Sequence, residues 1–147
     1  MKKIKVAIAG ATGFTGLELV KILLKHPGVE IVELFAQSNL GKAISYFDKS
    51  IRNTKKLPAI SSMKASNLSN IDVIFTALPH GEAHMVAKRL GKDSVLIDLS
   101  ADFRISSKSV YEKWYKVPHL AIDKQKKAVY GLSEINRSLI KKTNIIS

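Results

Sequence analysis

Short apolar runs alternate along the chain with segments whose apolar residues recur every three or four positions. Four compact runs rich in branched residues predict strands at 4–9, 29–36, 71–78 and 94–99, with a shorter strand at 128–130. Helical spacing predicts helices at 17–26, 82–90 and 134–142, and a helical turn at 110–115. The first two helices end at Pro27-Gly28 and at Gly91, residue types that commonly stop a helix. The polar segment 37–56 is predicted to be a loop.

Strands that alternate with helices pair in parallel through right-handed crossovers. The pattern therefore predicts the α/β fold class, with a doubly wound parallel sheet of the Rossmann type. The 147 residues, 46% of them hydrophobic, suffice for one globular domain with a core, so a single domain over 1–147 is expected. Such sheets bind ligands outside the carboxyl ends of their strands, where the motifs below are predicted to lie.

Composition excludes several classes of binding partner. The formal net charge of +12 comes largely from lysines that stand singly or in pairs, without an Arg-rich run, so nucleic acid is not an expected partner. A basic surface instead favours a phosphorylated ligand. No apolar stretch approaches the ~20 residues that span a bilayer, so no membrane association is expected. The absence of cysteine excludes disulfides and thiolate metal sites in this chain, and the cytoplasm is the expected location.

A glycine triplet follows the first predicted strand and opens the first helix: Gly10, Gly13 and Gly16. In dinucleotide-binding loops one such glycine makes the tight turn, one lets backbone N–H groups approach a pyrophosphate, and one lets helix and strand pack closely. The helix N-terminus favours the phosphates, and Thr12 and Thr15 add hydroxyl groups. An ordinary strand-to-helix turn is the simpler interpretation, but the position and the flanking elements favour dinucleotide binding.

The segment after the second strand bears on which dinucleotide is bound. NAD-binding folds usually place an acid there, about 20 residues beyond the glycine loop, to hold the ribose 2′-hydroxyl. Residues 35–42 contain no acid, and Glu33 falls inside the predicted strand unless that boundary is misplaced by two or three residues. Ser38 and Lys42 suit a 2′-phosphate instead, so the sequence favours NADP over NAD.

Polar residues follow two of the later predicted strands. His80 and His84 flank Glu82, but their spacing does not match His-Glu-x-x-His, so no metal site is expected. The loop within 75–84 is interpreted as one that covers the cofactor, with a structural loop histidine as the simpler alternative. Asp98, Ser100, Asp102 and Arg104 alternate along the other segment. They are interpreted as an internal ion-pair cluster with Arg104 available to an anion, or equally as a structural salt-bridge turn.

The segment Tyr130–Arg137 is predicted to contain a turn and a helix cap. Ser133 is predicted to cap the final helix, with Glu134 in its first turn.

Together these stretches resemble the N-acetyl-γ-glutamyl-phosphate reductase family, NADPH-dependent enzymes of arginine biosynthesis within the semialdehyde-dehydrogenase group. The matching stretches, in order, are the glycine loop with His26-Pro27, Ala77-Leu78-Pro79-His80-Gly81, Asp98-Leu99-Ser100-Ala101-Asp102-Phe103-Arg104, and Tyr130-Gly131-Leu132 with Glu134 and Arg137. The second and third also distinguish this family from its aspartate-semialdehyde relatives.

The resemblance implies roles for individual residues in binding NADP. It implies a pyrophosphate site at Gly10, Thr12, Gly13, Phe14, Thr15 and Gly16, a 2′-phosphate site at Ser38 and Lys42, and a further cofactor lining of Ala77, Leu78, Pro79 and His80. Ser100, Asp102 and Arg104 would be substrate-side or structural. The whole enzyme would be a homo-oligomer acting on a small-molecule substrate.

The chain departs from the family pattern in three places. Asn39 stands where the family often has arginine, and Ser133 where it commonly has proline. Family reductases also attack the acyl phosphate with a cysteine in an Asn-Pro-Gly-Cys stretch, and NADPH reduces the resulting thioester to the aldehyde. That stretch follows a run like 143–147, so the cysteine is expected just after Ser147, where this chain ends. The resemblance therefore implies the N-terminal part of such an enzyme, with no catalytic residue and no activity alone.

Two other interpretations stay open from the sequence. One is a related semialdehyde dehydrogenase of the aspartate or aminoadipate type, and the other is a non-catalytic nucleotide-binding module. A domain taken from a larger enzyme is expected to expose apolar surface and to self-associate.

Overall fold

A computed structural model of the protein describes residues 2–52 and 56–147. Six parallel strands form one sheet in the order β3-β2-β1-β4-β5-β6. The strands are β1 (Ile4–Ala9), β2 (Val29–Phe35), β3 (Ile60–Ser61), β4 (Val73–Thr76), β5 (Val95–Asp98) and β6 (Ile145–Ile146). This order is the doubly wound arrangement, so the predicted fold class is confirmed.

Within the described residues, five α-helices connect or follow these strands. They are α1 (Phe14–Leu24), α2 (Ala83–Arg89), α3 (Lys108–Tyr115), α4 (Ile122–Gln125) and α5 (Ser133–Ile140). Short 3₁₀ turns lie at Ile44–Tyr46 and Met63–Ala65. In this part of the chain, no helix is both long and apolar enough to cross a membrane.

The central strand explains why the first apolar run is continuous. In β1, Val6 and Ile8 contribute to one buried cluster, while Ala7 and Ala9 contribute to another. Successive side chains of a strand point to opposite faces of the sheet, so both faces of β1 are covered. All four of these side chains are at most 1% exposed.

The register of β1 creates the crevice in which such sheets bind ligands. Ala9, the last residue of β1, pairs with Phe35 at the end of β2 and with Thr76 at the end of β4. The chain runs outward from β1 through β2 to β3, then returns to β4 on the other side. The loops after β1, β2 and β4 therefore meet at the point where the winding reverses.

Several boundaries differ from the predictions. α1 begins at Phe14 rather than at 17, and of the predicted strand 128–130 only Val129 pairs, in a single bridge to Ile146. The predicted loop 37–56 contains the turn Ile44–Tyr46, with Ile44 fully buried, while its residues 53–55 lie outside the described part. The two-residue strands β3 and β6 and the four-residue α4 were not predicted, because such short elements carry no measurable periodicity.

Candidate functional site

The glycine loop is tied to the neighbouring strand by its backbone. The N–H groups of Gly10 and Ala11 both donate to the Phe35 carbonyl oxygen, each at 3.0 Å. Gly13 N–H donates to the Gly10 carbonyl at 3.2 Å, and Leu17 N–H donates to the Gly13 carbonyl at 2.9 Å as α1 begins. The loop is thus a fixed turn that joins the end of β1 to the first turn of α1.

Two of the three glycines are required by the protein itself. Gly10 has φ of +83°, and a Cβ built there would overlap the Ala77 carbonyl oxygen and lie 2.9 Å from its carbon. A Cβ at Gly16 would overlap the Gly10 carbonyl oxygen and lie 2.7 Å from Ala11 Cα. Gly10 therefore lets β1 turn against the loop after β4, and Gly16 lets α1 lie directly on the loop.

Neither the backbone conformation nor a close contact requires glycine at position 13. Its φ of −76° and ψ of 165° are open to any residue. The only neighbour within 4 Å of a Cβ built there is the Gly10 carbonyl oxygen, at an ordinary contact distance of 3.5 Å. Gly13 is the N-cap of α1 and supplies no side-chain cap to its first N–H groups. The space beside Gly13 and these N–H groups suits a bound phosphate.

The side chains around Gly13 leave this space open. Phe14 is 94% exposed and Thr15 is exposed, whereas Thr12 is half-buried. The structure therefore brings the predicted pyrophosphate-site residues onto one turn at the amino end of α1. It presents mainly backbone donors there, the group that a pyrophosphate needs.

The loop after β2 bears the predicted 2′-phosphate residues. Ser38 and Lys42 are both exposed on it, and Asn39 has φ of +57° and donates from Nδ2 to Ser38 Oγ at 3.2 Å. Glu33 is inside β2, two residues before its end, and accepts a hydrogen bond from Ser61 Oγ at 3.1 Å. The end of β2 is therefore free of an acid from its own strand.

The loop after β4 closes against the glycine loop. Ala77 N–H donates to the Ala9 carbonyl at 2.8 Å, and Leu78 approaches the Gly10 turn. Pro79 and His80 are exposed, and the His80 ring packs on the Tyr115 ring with centroids 4.8 Å apart. The predicted cofactor-lining residues 77–80 thus face the crevice from its β4 side.

His80 and His84 do not come together. His80 is exposed, whereas His84 is fully buried and packs on the His119 ring at 4.1 Å between centroids. Among the residues that the structure describes, no three potential ligands are placed to hold a metal ion.

The predicted ion-pair cluster after β5 is wrong, and neutral donors take its place. Buried Asp98 accepts hydrogen bonds from Thr76 Oγ1 at 2.7 Å and from Ser100 Oγ at 2.8 Å. Burial raises the pKa of Asp98, and these hydrogen bonds oppose that rise. Arg104 is exposed and donates to the Leu99 carbonyl at 3.3 Å. Within the described part of the chain, Arg104 forms no ion pair with either acid.

Asp102 has a separate set of neutral partners. Its side chain is fully buried and accepts hydrogen bonds from Gly81 N–H at 2.7 Å, Ala83 N–H at 3.0 Å and Tyr111 Oη at 2.7 Å. Burial and the bond to Asp102 raise the pKa of Tyr111. Asp102 thereby ties the loop after β4 and the start of α2 to α3.

The sequence did not reveal a pair of buried histidines beneath this network. His84 Nε2 lies 3.3 Å and His119 Nε2 lies 2.8 Å from the Asp102 carbonyl oxygen. Backbone N–H groups of Leu120 and Ala121 donate to the other ring nitrogen of each histidine, so in both rings Nδ1 accepts and Nε2 faces the carbonyl as the donor. The two positions are 35 apart in the sequence, and no local pattern connects them.

The prediction for the last motif also needs correction. Ser133 is the first residue of α5, and its N-cap is Leu132, which makes no capping hydrogen bond. Ser133 Oγ instead donates to Glu134 Oε2 at 3.3 Å. α5 has no buried residue, and Ile135 and Leu139 on it are 74% and 53% exposed.

Ser147, which precedes the expected Asn-Pro-Gly-Cys stretch, lies at the carboxyl end of β6. Its backbone N–H donates to the Val129 carbonyl at 3.0 Å, and its carbonyl accepts from Gly131 N–H. Its buried hydroxyl group donates to the Phe103 carbonyl at 3.1 Å, so Ser147 packs against the segment that contains Asp102. Ser147 is therefore a structural contact and no substitute for a nucleophile, and the cysteine after it stays a prediction.

The family model described as "Semialdehyde dehydrogenase, NAD binding domain" matches residues 5–143. The chain belongs to this family. The chain is similar to a probable N-acetyl-gamma-glutamyl-phosphate reductase, chloroplastic, of Arabidopsis thaliana, to which it is 38% identical over 99% of this chain and 36% of that protein. The N-acetyl-gamma-glutamyl-phosphate reductase of Herminiimonas arsenicoxydans is 43% identical over 97% of this chain and 41% of that protein. The resemblance seen in the motifs is thus confirmed.

The semialdehyde dehydrogenase domain seen here spans about two fifths of the length of these curated relatives. Among solved structures, an aspartate semialdehyde dehydrogenase II of Vibrio cholerae aligns with a TM-score of 0.66 at 18% identity, over 99% of this chain and 38% of that one. An aspartate semialdehyde dehydrogenase of Candida albicans aligns with a TM-score of 0.60 at 24% identity, over 71% of this chain and 32% of that one. These structures share the fold.

Proposed function

We propose that this domain binds NADP and is the cofactor-binding part of an N-acetyl-γ-glutamyl-phosphate reductase. That enzyme uses NADPH to reduce N-acetyl-glutamyl 5-phosphate to N-acetylglutamate 5-semialdehyde in arginine biosynthesis. The named relatives at 38–43% identity support the choice of reductase. The observation that supports cofactor binding most directly is Gly13.

The presence of glycine at position 13 supports the binding of a pyrophosphate at this loop. Serine, asparagine or aspartate at this N-cap would stabilise α1 better than glycine, and the backbone there accepts them. A side chain would, however, occupy the space in front of the free N–H groups of the first helical turn. Glycine at this position therefore costs helix stability and keeps the anion site open, which is what pyrophosphate binding requires.

The remaining groups fit the other parts of the cofactor. Ser38 and Lys42 would hold the 2′-phosphate, because they are exposed at the end of β2 and no acid of that strand is free to oppose it. Thr12 and Thr15 would add hydroxyl donors to the pyrophosphate, and Ala77, Leu78, Pro79 and His80 would line the nicotinamide side. Bound NADPH supplies the hydride for the reduction.

Of the residues predicted on the substrate side, we propose that Arg104 faces the substrate and that Ser100 is structural. Ser100 is buried, and its hydroxyl group donates to Asp98 and accepts from the backbone N–H of Asp102. Arg104 is exposed near the end of β5 and keeps donors available for an anionic substrate group. We further propose that the whole enzyme is a cytoplasmic homo-oligomer with a small-molecule substrate, and that its nucleophilic cysteine follows Ser147.

The test is a titration of the purified chain with NADPH and then with NADH, followed by nicotinamide fluorescence. Saturable binding that favours NADPH is expected. Gly13→Asp should abolish binding without destabilising the fold, because aspartate caps α1 but places a negative charge where the pyrophosphate binds.

Gly28→Asp is the matched control, since Gly28 lies in the turn before β2, at the opposite edge of the sheet, and a Cβ there meets only the His26 ring at 3.4 Å. This control should bind NADPH as the original chain does. Failure of the original chain to bind either nucleotide, or unchanged binding by Gly13→Asp, would overturn the proposal.

A further inference from the structure

The Asp102 side chain joins three segments that are distant in sequence. It comes from the turn after β5, and it receives N–H groups from the loop after β4 and from the start of α2. Its third donor is the Tyr111 hydroxyl of α3. No other buried carboxyl in the described part of the chain accepts hydrogen bonds from three different elements in this way.

The chemistry of this contact demands a carboxylate. Three donors point at two oxygens, so the group acts only as an acceptor, which an ionised carboxyl does and an amide cannot. Asparagine has the same shape, but its NH₂ group would face one of the three donors. A donor facing a donor in a fully buried site loses the hydrogen bond and leaves a polar group unpaired.

The same contacts support the exposed residues that face the crevice. Gly81 follows His80 directly and has φ of +92°, a conformation that its hydrogen bond to Asp102 holds in place. The His80 ring packs on Tyr115, whose ring in turn lies 5.0 Å from that of Tyr111. Asp102 therefore holds His80 from two directions, through the backbone of Gly81 and through the ring pair of α3.

The glycine loop and the loop after β2 depend on other contacts. Their hydrogen bonds run to Phe35, Ile60 and Ser61 and within the loops themselves, and Gln37 Nε2 donates to Glu82 at 3.2 Å. Among the described residues, none of these bonds involves Asp102 itself. In a doubly wound sheet the dinucleotide lies across the switch point, so its two halves rest on opposite sides of β1. Asp102 itself therefore binds the loop after β4, and its link to the loop after β2 is indirect, through the Gln37–Glu82 hydrogen bond.

We propose that Asp102 is a positioning residue that fixes residues 77–81 for the nicotinamide half of the cofactor without touching it. This inference rests on the proposed NADP-binding function. It separates the two halves of the site: the adenosine half is placed by backbone turns, and the nicotinamide half by a buried carboxylate. A merely structural role would weaken binding of both halves together.

The experiment compares two ligands on the same protein by isothermal titration calorimetry. NADPH carries both halves of the cofactor, and 2′-phospho-ADP-ribose carries the adenosine half without nicotinamide. Asp102→Asn should weaken NADPH binding about 10-fold and change binding of 2′-phospho-ADP-ribose by less than about 2-fold. Tyr111→Phe, which removes one donor and keeps the ring, should weaken NADPH about 3-fold and spare the smaller ligand.

Asp93→Asn is the matched control, because Asp93 is exposed in the turn before β5, at the opposite edge of the sheet. It should bind both ligands as the original chain does. Far-ultraviolet circular dichroism checks that each variant folds, and Tyr111→Phe provides the test if Asp102→Asn does not fold.

The outcomes separate the two proposals. If the original chain binds neither ligand, the proposed NADP-binding function fails. If it binds both ligands equally tightly, or if the folded variants lose both equally or neither, the NADP-binding function stands and the positioning role of Asp102 is overturned.

Discussion

The two sides of the crevice are built in different ways. On the β1–β2 side, the loops 10–16 and 36–42 are shaped by backbone hydrogen bonds and glycine conformations, and most of their polar side chains are exposed. On the β4–β5 side, the loops 77–82 and 99–104 are shaped by buried polar side chains, with Asp98 and Asp102 receiving neutral donors. The first side therefore depends on which positions lack a side chain, and the second on which side chains are present.

The two sides also differ in whether their charged or titratable groups are exposed or buried. The β1–β2 side exposes Lys42 and the first N–H groups of α1 to solvent, where they stabilise the negative charge of a ligand. The β4–β5 side buries the side chains of two acids and two histidines, where polar groups need partners within the fold. Substitutions on the first side should therefore change ligand binding directly, except where a glycine is required sterically. Substitutions on the second side should change stability or pH dependence, or, as at Asp102, change binding through the position of residues 77–81.

The largest expected effect is at that steric exception. Gly10→Ala should destabilise the fold by roughly 3 kcal/mol or more, because a methyl group would overlap the Ala77 carbonyl in a left-handed conformation. Gly41→Ala is the control, since Gly41 has φ of +80° but nothing within 4 Å of a built Cβ. It should lose only about 1 kcal/mol. Urea unfolding measures both, and equal losses would show that contact with the β4 loop is unimportant.

A smaller effect should appear on the β4–β5 side as the pH falls. Burial lowers the pKa of His84 below its ordinary value of 6.5; Asp102 opposes this shift and His119 adds to it. The unfolded chain takes up a proton at this residue near pH 6.5 and the folded chain does so only at a lower pH, so stability should fall as the pH drops from 7 to 5. Asp98, whose pKa is raised from 3.8, contributes with the opposite sign.

The His84 contribution is isolated by substitution. Urea unfolding of His84→Gln between pH 7 and pH 5 should give a flatter dependence on pH, because the amide does not titrate. His26→Gln, at an exposed histidine in the turn before β2, should keep the slope of the original chain. A slope that His84→Gln leaves unchanged would mean that the buried pair is not the source of the acid sensitivity.

The smallest expected effect tests charge on the β1–β2 side. Lys42→Gln should weaken NADPH binding about 5-fold, close to 1 kcal/mol, and leave NADH binding unchanged, because only NADPH carries the 2′-phosphate. Lys25→Gln, at the other end of α1, is the control and should change neither. Fluorescence titration measures both nucleotides, and an equal loss for NADPH and NADH would remove Lys42 from the 2′-phosphate site.

Much of the β1–β2 side was predictable from the sequence. Gly16 is required by contacts with Gly10 and Ala11 in the same short turn, and Gly10 has a positive φ there, so the local spacing reveals both glycines. The contact between Gly10 and Ala77 was not visible in the sequence. The continuous apolar run of β1 likewise follows from burial on both faces of a central strand. The absence of an acid at the end of β2 was visible as soon as the strand was located, and the structure confirms that Glu33 lies inside it.

The β4–β5 side was not predictable to the same depth. Asp98, Asp102 and Arg104 alternate in a way that suggested ion pairs, but alternation places residues on a strand face without naming their partners. The donors to Asp102 come from positions 9 to 21 residues away, and His84 and His119 meet only after α2 and the segment after α3 are packed together. β6 could not be recognised either, because two residues have no period.

The sequence by itself therefore determined the fold class, the family and the position of the glycine loop, since each depends on residue type at short, regular spacing. Only the tertiary structure decided that Gly13 serves no need of the protein, that the acids after β5 are held by neutral donors, and that Asp102 supports His80. These facts depend on what lies within a few ångströms of an atom, and long-range packing alone sets those distances.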